Sequence, residues 1–117
     1  MTYAEVTAMI ESIGLPWEYY QFDKDTAQAP PYVVYFFEGS DDLYADNTNY
    51  QKIEALTIEL YSELEDGKDY EDEAVTEKIL NQAGLTWRKT EAVVDTAQLR
   101  MVVYQADVMI VGEDISE

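Results

Sequence analysis

The amino-acid sequence predicts an α+β domain in which two helices pack on a mostly antiparallel β-sheet, in the order α-β-β-β-α-β-β. Two segments carry apolar residues at helical spacing, and glycine follows each of them. The segments between and after them are rich in β-branched and aromatic residues, which favour strands. A length of 117 residues fits a single domain, which we take to span residues 1–117.

The first predicted helix opens with a capping box. The hydroxyl of Thr2 can accept a hydrogen bond from the third helical N–H, and Glu5 can reach back to the helix start. Gly14 would end the helix in a left-handed conformation, and Pro16 would prevent it from continuing. The apolar face of this helix comprises Val6, Met9, Ile10 and Ile13.

The chain between the helices predicts strands separated by long loops. Residues 17–22 are rich in aromatic side chains, and residues 32–37 form an apolar run that we expect to be buried on both faces. Residues 50–64 read as a long strand, with a bulge between Ala55 and Leu56, where the alternation changes phase. The predicted loops are residues 23–31, 39–49 and 65–69.

The second predicted helix spans residues 70–83, with Asp69 as its N-cap and Gly84 after its end. Its apolar stripe comprises Val75, Ile79, Leu80 and Ala83. Residues 87–94 and 99–111 are the last two predicted strands, followed by a polar tail at 112–117 that we expect to be mobile. One face of the final strand is formed by Val102, Tyr104, Ala106, Val108 and Ile110.

Composition argues for binding and against catalysis. The chain contains no cysteine and no histidine, which excludes disulfides, cysteine-ligated zinc and histidine-based hydrolase triads. Asp and Glu total 25 against 7 Lys and Arg, and the net charge of −18 would repel nucleic acid and anionic membranes. We therefore predict no enzyme, no cofactor, no membrane span and no specific nucleic-acid ligand. The N-terminus lacks a signal-peptide pattern, so we expect the chain to be made in the cytoplasm.

Acidic segments supply candidate interface residues. Asp41, Asp42 and Asp46 could bind Ca²⁺ or Mg²⁺ through oxygen ligands, but their spacing does not match an EF-hand loop. We interpret them as turn-forming, solvated aspartates and predict no metal site. A second acidic run is typical of a solvated loop and helix start, and it could also dock a partner. Its candidate interface residues are Glu65, Asp66 and Asp69.

Tyrosine is a second indication of a binding role. The chain contains ten tyrosines, a residue type enriched at the centres of protein interfaces. A cluster left exposed would mark a partner site, and Tyr44 is the candidate within the loop at 39–49. The tyrosines of the first half are Tyr19, Tyr20, Tyr32, Tyr35, Tyr44, Tyr50 and Tyr61.

Several segments spread over nearly the whole chain share a pattern with one protein family. They are the helix with Gly14-Leu15-Pro16, the segment Ala29-Pro30-Pro31-Tyr32-Val33-Val34-Tyr35, Gly39-Ser40-Asp41-Asp42 with Ala45-Asp46, Leu56-Thr57-Ile58-Glu59-Leu60-Tyr61, and Gln82-Ala83-Gly84. This pattern resembles the tail terminator, or tail-completion, proteins of long-tailed bacteriophages and prophages of Gram-positive bacteria.

The resemblance implies an α+β subunit that forms an oligomeric ring, typically six-membered, which caps the tail tube and joins it to the head connector. Its partners would be further copies of the chain, the tail tube protein and the head–tail connector protein. Its location would be the virion tail or neck, and the host cytoplasm during assembly. A six-membered ring would carry six times the charge of −18, so we expect a monomer in dilute, low-salt solution and rings at the tube end.

Two other functions stay open on the sequence. Another head–tail neck component, such as a connector or stopper, would show the same composition. A DNA-mimic inhibitor would need carboxylates at phosphate-like spacing on one face of the molecule. Many of the acidic residues here fall in predicted loops and at one helix start, which argues against the mimic.

Overall fold

The computed structural model describes residues 1–20, 29–43, 51–63, 69–94 and 99–111. The elements are α1 (Tyr3–Glu11), β1 (Trp17–Tyr19), β2 (Tyr32–Leu43), β3 (Gln51–Glu63), α2 (Asp69–Gln82), β4 (Trp87–Val94) and β5 (Leu99–Val111). The predicted α+β class and element order are confirmed. The predicted tail at 112–117 and most of the predicted loop residues lie outside the described residues.

The strands form one five-stranded sheet in the order β1-β2-β3-β5-β4. Strand β1 pairs with β2 in parallel, and every other pairing is antiparallel. Both helices contribute to one apolar core on the same side of the sheet. We call the other side the outer face. The core comprises Val6, Met9, Ile10, Ile13, Val33, Tyr35, Leu56, Ile58, Leu60, Leu80, Val102, Tyr104, Val108 and Ile110.

Helix α1 forms as its sequence predicts. The Thr2 Oγ1 accepts a hydrogen bond from the Glu5 N–H at 3.1 Å, and a Glu5 carboxylate oxygen accepts from the Thr2 N–H at 2.8 Å. Gly14 adopts φ +90°, a conformation that side chains with a Cβ rarely take. The helix ends at Glu11, and after Gly14 Leu15 packs against the core and the chain continues into β1.

Strand β1 is shorter than the predicted strand at 17–22. It ends at Tyr19, because Tyr20 has φ +79° and leaves the extended conformation. The Tyr20 N–H still donates to the carbonyl oxygen of Tyr35 at 2.8 Å. Edge strand β1 therefore covers only a short part of the much longer β2.

Strand β2 is longer than predicted and reaches Leu43, which corrects the predicted loop at 39–49. Asp41 pairs with Ile53 and Asp42 pairs with Lys52, so both candidate aspartates lie in a strand and not in a turn. Turn-forming residues accept this geometry because the long partner strand β3 offers backbone hydrogen bonds along their length. The remainder of the predicted loop lies outside the described residues.

The bulge lies in β2 and not in β3, where it was predicted. Phe37 pairs with Leu56 and Ser40 pairs with Glu54, so β2 carries the extra residue, at Glu38 and Gly39. Strand β3 pairs with β5 without interruption along its length. Ala55 differs in phase from Leu56 simply because it lies on the outer face.

Helix α2 packs on the sheet through a partly polar face. Leu80 is buried as predicted, and Ile79 and Ala83 pack at the edge of the core. Val75, however, is 40% exposed, and Glu73 and Thr76 are buried in its place. The predicted stripe was wrong at this position because the carboxylate of Glu73 has charged partners on the sheet, which an apolar pattern cannot reveal.

Candidate interaction surface

The outer face is a partly apolar surface formed by the long central strands. Its residues alternate with the core residues along each strand, as the pairing registers require. No helix or strand of the described residues lies over it. The apolar and aromatic members are Tyr32, Val34 and Phe36 on β2, Ile53, Ala55 and Tyr61 on β3, and Met101, Val103, Met109 and Val111 on β5.

Aromatic rings form one end of this surface. The rings of Tyr32 and Tyr61 stack with centroids 4.9 Å apart, and Tyr20 contacts Phe36 at 5.5 Å. The Tyr61 hydroxyl donates to a carboxylate oxygen of Glu59 at 2.8 Å. Burial and this hydrogen bond raise the pKa of Tyr61, and burial beside Glu59 raises the pKa of Tyr32. Both hydroxyls therefore remain protonated and can donate hydrogen bonds over the whole physiological pH range.

The centre and the far end of the outer face differ in exposure. Val34 and Thr57 are buried in the centre, where the Thr57 hydroxyl donates to Glu38 at 3.1 Å. At the far end of β5, Met109 is 46% exposed and Val111 is similarly exposed. Burying such apolar side chains against a partner would remove substantial apolar area from water.

The charges on the outer face are mostly negative. Arg88 on β4 lies on this side of the sheet, opposite Gln105. The carboxylates on this side are Glu18, Glu38, Glu59, Glu63 and Asp107. The described part of the outer face is thus an apolar strip interspersed with carboxylates.

The helix side of the sheet holds an ion-pair network that anchors α2. Lys89 Nζ lies 2.7 Å from a carboxylate oxygen of Glu73 and 2.8 Å from one of Glu77. Arg100 bridges the carboxylates of Glu73 and Glu91. The hydroxyl of the buried Tyr104 donates to Glu77 at 2.8 Å. Two cations of the sheet are therefore bound to helix α2.

The pKa shifts in this network favour fixed charges. Burial alone would raise the pKa of Glu73, but hydrogen bonds from Arg100 and Lys89 outweigh it and lower that pKa. Hydrogen bonds to Glu73 and Glu77 raise the pKa of Lys89. Glu73 and Lys89 are therefore held in their ordinary charged forms at neutral pH. Such an arrangement suits a structural anchor, whereas a general acid or base needs a pKa near the working pH.

The network predicts an acid-sensitive contribution of Glu73 to stability. Glu73→Gln should lower the free energy of unfolding by about 2 kcal/mol near neutral pH, because charged hydrogen bonds are lost. The folded-state pKa of Glu73 is depressed, so its contribution is complete above the unfolded pKa of about 4.3 and is lost as pH falls through the lower folded value. Urea denaturation of parent and variant from about pH 7 to about pH 3 should show their difference shrinking below about pH 4.

The exposed Glu71 on the same helix supplies the matched control. Glu71→Gln removes the same charge and therefore changes the overall charge repulsion equally. Its free energy of unfolding should differ from that of the parent by no more than about 0.5 kcal/mol. A difference between parent and Glu73→Gln that grew toward acid pH would contradict the assignment.

The structure places few of the predicted interface residues. Asp41 and Asp42 lie in β2, and Asp69 is the first residue of α2 and not its N-cap. Tyr44, Asp46, Glu65 and Asp66 lie outside the described residues. An interaction site in the loops that contain these four residues stays a prediction.

The structure shows where several of the tyrosines lie. Tyr32 and Tyr61 lie on the outer face, Tyr35 is in the core, and Tyr19 and Tyr20 are exposed near the sheet edge. Sequence reasoning missed the β5 part of the surface: Met101, Val103, Met109 and Val111. A signal existed, because these residues make the second face of the final strand apolar as well.

Two further findings concern the described residues. They contain no group of three or more acidic side chains arranged to hold a metal ion. None of their helices is both long enough and apolar enough to cross a membrane.

The chain matches no model of a known protein family, and no curated protein matches it.

Proposed function

We propose that this chain is a structural assembly protein, a phage tail terminator that caps the tail tube and joins it to the head connector as part of an oligomeric ring. The observation that carries the proposal is the outer face, over which no described helix or strand lies. At the far end of this face Met109 and Val111 are exposed, and exposed apolar side chains that lie together can mark interaction sites.

The residue types of the outer face support an interface. Phe36, Tyr61, Met101 and Met109 belong to the aromatic and methionine class that is enriched at interface centres. Most are partly buried within the subunit, so their positions are already fixed before a partner binds. A partner would therefore gain apolar contacts at a small cost in side-chain entropy.

The charges also support a role without catalysis. The described ion-pair network holds Glu73 and Lys89 in their ordinary charged forms and anchors α2. The net charge of −18 would repel DNA from the inner surface of a ring, so that DNA could pass without sticking. Both features fit a neck component through which a genome moves.

Deleting this gene from the phage or prophage that carries it tests the proposal. Electron microscopy of lysates should then show overlong tail tubes that are not joined to heads. The parent gene supplied in trans should restore tails of uniform length joined to heads.

Two outcomes would overturn the terminator role. Tails of normal length joined to heads would remove any role in tail completion. Tails of normal length that fail to join heads would assign the chain to another neck component, because length control would then belong to a different protein.

A further inference from the structure

The dimensions of the outer face limit the size of the interface that it can form. Strands β3 and β5 pair over thirteen residues each, and β2 lies beside β3. At about 3.3 Å per residue and about 4.8 Å between strands, this part of the sheet measures roughly 40 by 14 Å. This footprint of about 600 Å² is an upper bound on the area that the face offers, because Val34 and Thr57 in its centre are already buried; a standard interface takes ~800 Å² from each partner.

The charges of this surface argue against pairing with itself. Two outer faces packed together would lie about 10 Å apart and would bring their carboxylates against each other. Glu59 sits in the central row, between Val34 and Val103, and Asp107 lies opposite Ala55. Arg88 at the edge strand is the cation on the described part of this side. Like charges facing each other at an interface disfavour association.

Two described cations on the other side of the sheet already have carboxylate partners there and do not neutralise this surface. Lys89 and Arg100 are bound to carboxylates of α2 and β4. A partner that brings positive charge, together with apolar side chains for the strip between the carboxylates, would complement the described part of this surface.

One position on the outer face suits an arginine of that partner. Glu59 lies beside the stacked rings of Tyr32 and Tyr61 and accepts a hydrogen bond from Tyr61. A guanidinium can stack on an aromatic ring and bond a carboxylate at the same time. The carboxylate and the rings together would bind Arg better than either group alone.

We infer that the outer face docks an apolar surface of a basic protein, and not the same face of a second copy of this chain. The inference rests on the proposed assembly role and names the class of partner that this face takes. Ring contacts between copies would then use other surfaces of the subunit.

Designed peptides test the inference on the purified full chain labelled with ¹⁵N. The probe, called the Arg/Val peptide, has about eight residues with the repeat Arg-Ser-Val-Ser, which places Arg and Val together on one face of an extended chain. Its controls of equal length, the Arg/Ser and Glu/Val peptides, carry Ser in place of Val or Glu in place of Arg. We expect the Arg/Val peptide to bind at least about tenfold more tightly than either control, since it matches both the charge and the apolar strip. The amide chemical shifts of the chain that change on binding should be those of the outer-facing residues of β3 and β5. Raising the salt concentration from about 50 mM to about 500 mM should weaken the binding of the Arg/Val peptide.

A pair of variants locates the arginine position. Glu59→Gln should weaken the Arg/Val peptide several-fold, whereas Glu71→Gln on helix α2 removes the same charge from the helix side and should leave its affinity unchanged. The inference would be overturned if the Arg/Ser peptide bound as tightly as the Arg/Val peptide, or if the shift changes fell at the β4 edge or on α2. Equal effects of the two variants would also overturn it.

Self-association of the chain gives the remaining outcome. Sedimentation of the chain alone at low salt should show a monomer, and a dimer that Met109→Glu dissociates would overturn the inference in favour of a second copy. These experiments need no phage. A failed peptide test would leave the deletion result standing, and a failed deletion test would leave the peptide result standing.

Discussion

Arg100→Met should lower the free energy of unfolding by about 3 kcal/mol, among the largest losses available to one substitution in this chain. The side chain is largely buried and bridges Glu73 of α2 to Glu91 of β4. Removing it leaves the carboxylate of Glu73, only 4% exposed, with Lys89 as its partner in the network. The cost is that of a buried charge that has lost one of its two cationic partners. Chemical denaturation at neutral pH measures it.

Arg88→Met is the matched control for this prediction. It removes the same charge from an exposed position on the neighbouring strand β4, so it accounts for the general effect of making an acidic chain more acidic. We expect a change within about 0.5 kcal/mol. Equal losses for Arg88→Met and Arg100→Met would show that the network adds nothing beyond net charge.

A double substitution measures the interaction energy between Glu73 and Arg100 separately from the contribution of each residue alone. Glu73→Gln combined with Arg100→Met removes the unpaired buried charge, so the double variant should be more stable than the sum of the single losses predicts. The expected coupling is about 1–3 kcal/mol. Additive losses would contradict a direct interaction between the two side chains.

The element order could be predicted from the sequence because local signals and the fold agree over most of the chain. The capping box at Thr2 and the glycine stop at Gly14 both appear in the structure. The strands at 87–94 and 99–111 have the predicted bounds, because their β-branched and alternating residues lie between turn-forming segments.

The predictions from sequence are wrong where pairing between separate segments of the chain decides the structure. The residues from Gly39 to Asp42 have turn chemistry, yet they extend β2 because β3 pairs beside them. The phase change near Ala55 has its cause in a bulge of the partner strand, which β3 itself cannot reveal. Val75 was predicted to be buried because it fits the apolar pattern of the helix. That pattern cannot show that Glu73 lies beside Arg100 and Lys89 on the sheet.

The candidate surface was harder to predict than the fold. Carboxylates are so abundant in the sequence that their positions alone carried little information about a binding site. The outer face emerges only when the register places Tyr32 beside Tyr61 and Met101 in the same row. Its definition therefore needed the pairing of three strands that are far apart in the chain.

Met109→Lys should abolish most tail completion while leaving the subunit folded, if the outer face is the docking surface. Met109 is 46% exposed, so a lysine there can keep its charge in water, and unfolding should change by no more than about 0.5 kcal/mol. Against a basic partner the new charge replaces an apolar contact with repulsion, so affinity should fall by about tenfold or more. Complementation of the deletion, scored by electron microscopy as the fraction of tails joined to heads, measures the effect.

Val75→Lys provides a closely matched comparison, because Val75 is 40% exposed and lies on α2, on the opposite side of the sheet. Both variants add one positive charge to the same acidic chain, so any general effect of charge on folding or solubility is shared. Only the variant at 109 places that charge where a partner would pack. Tail completion by Val75→Lys at the parent level and by Met109→Lys at a small fraction of it would locate docking on the outer face; equal completion by both would exclude that face.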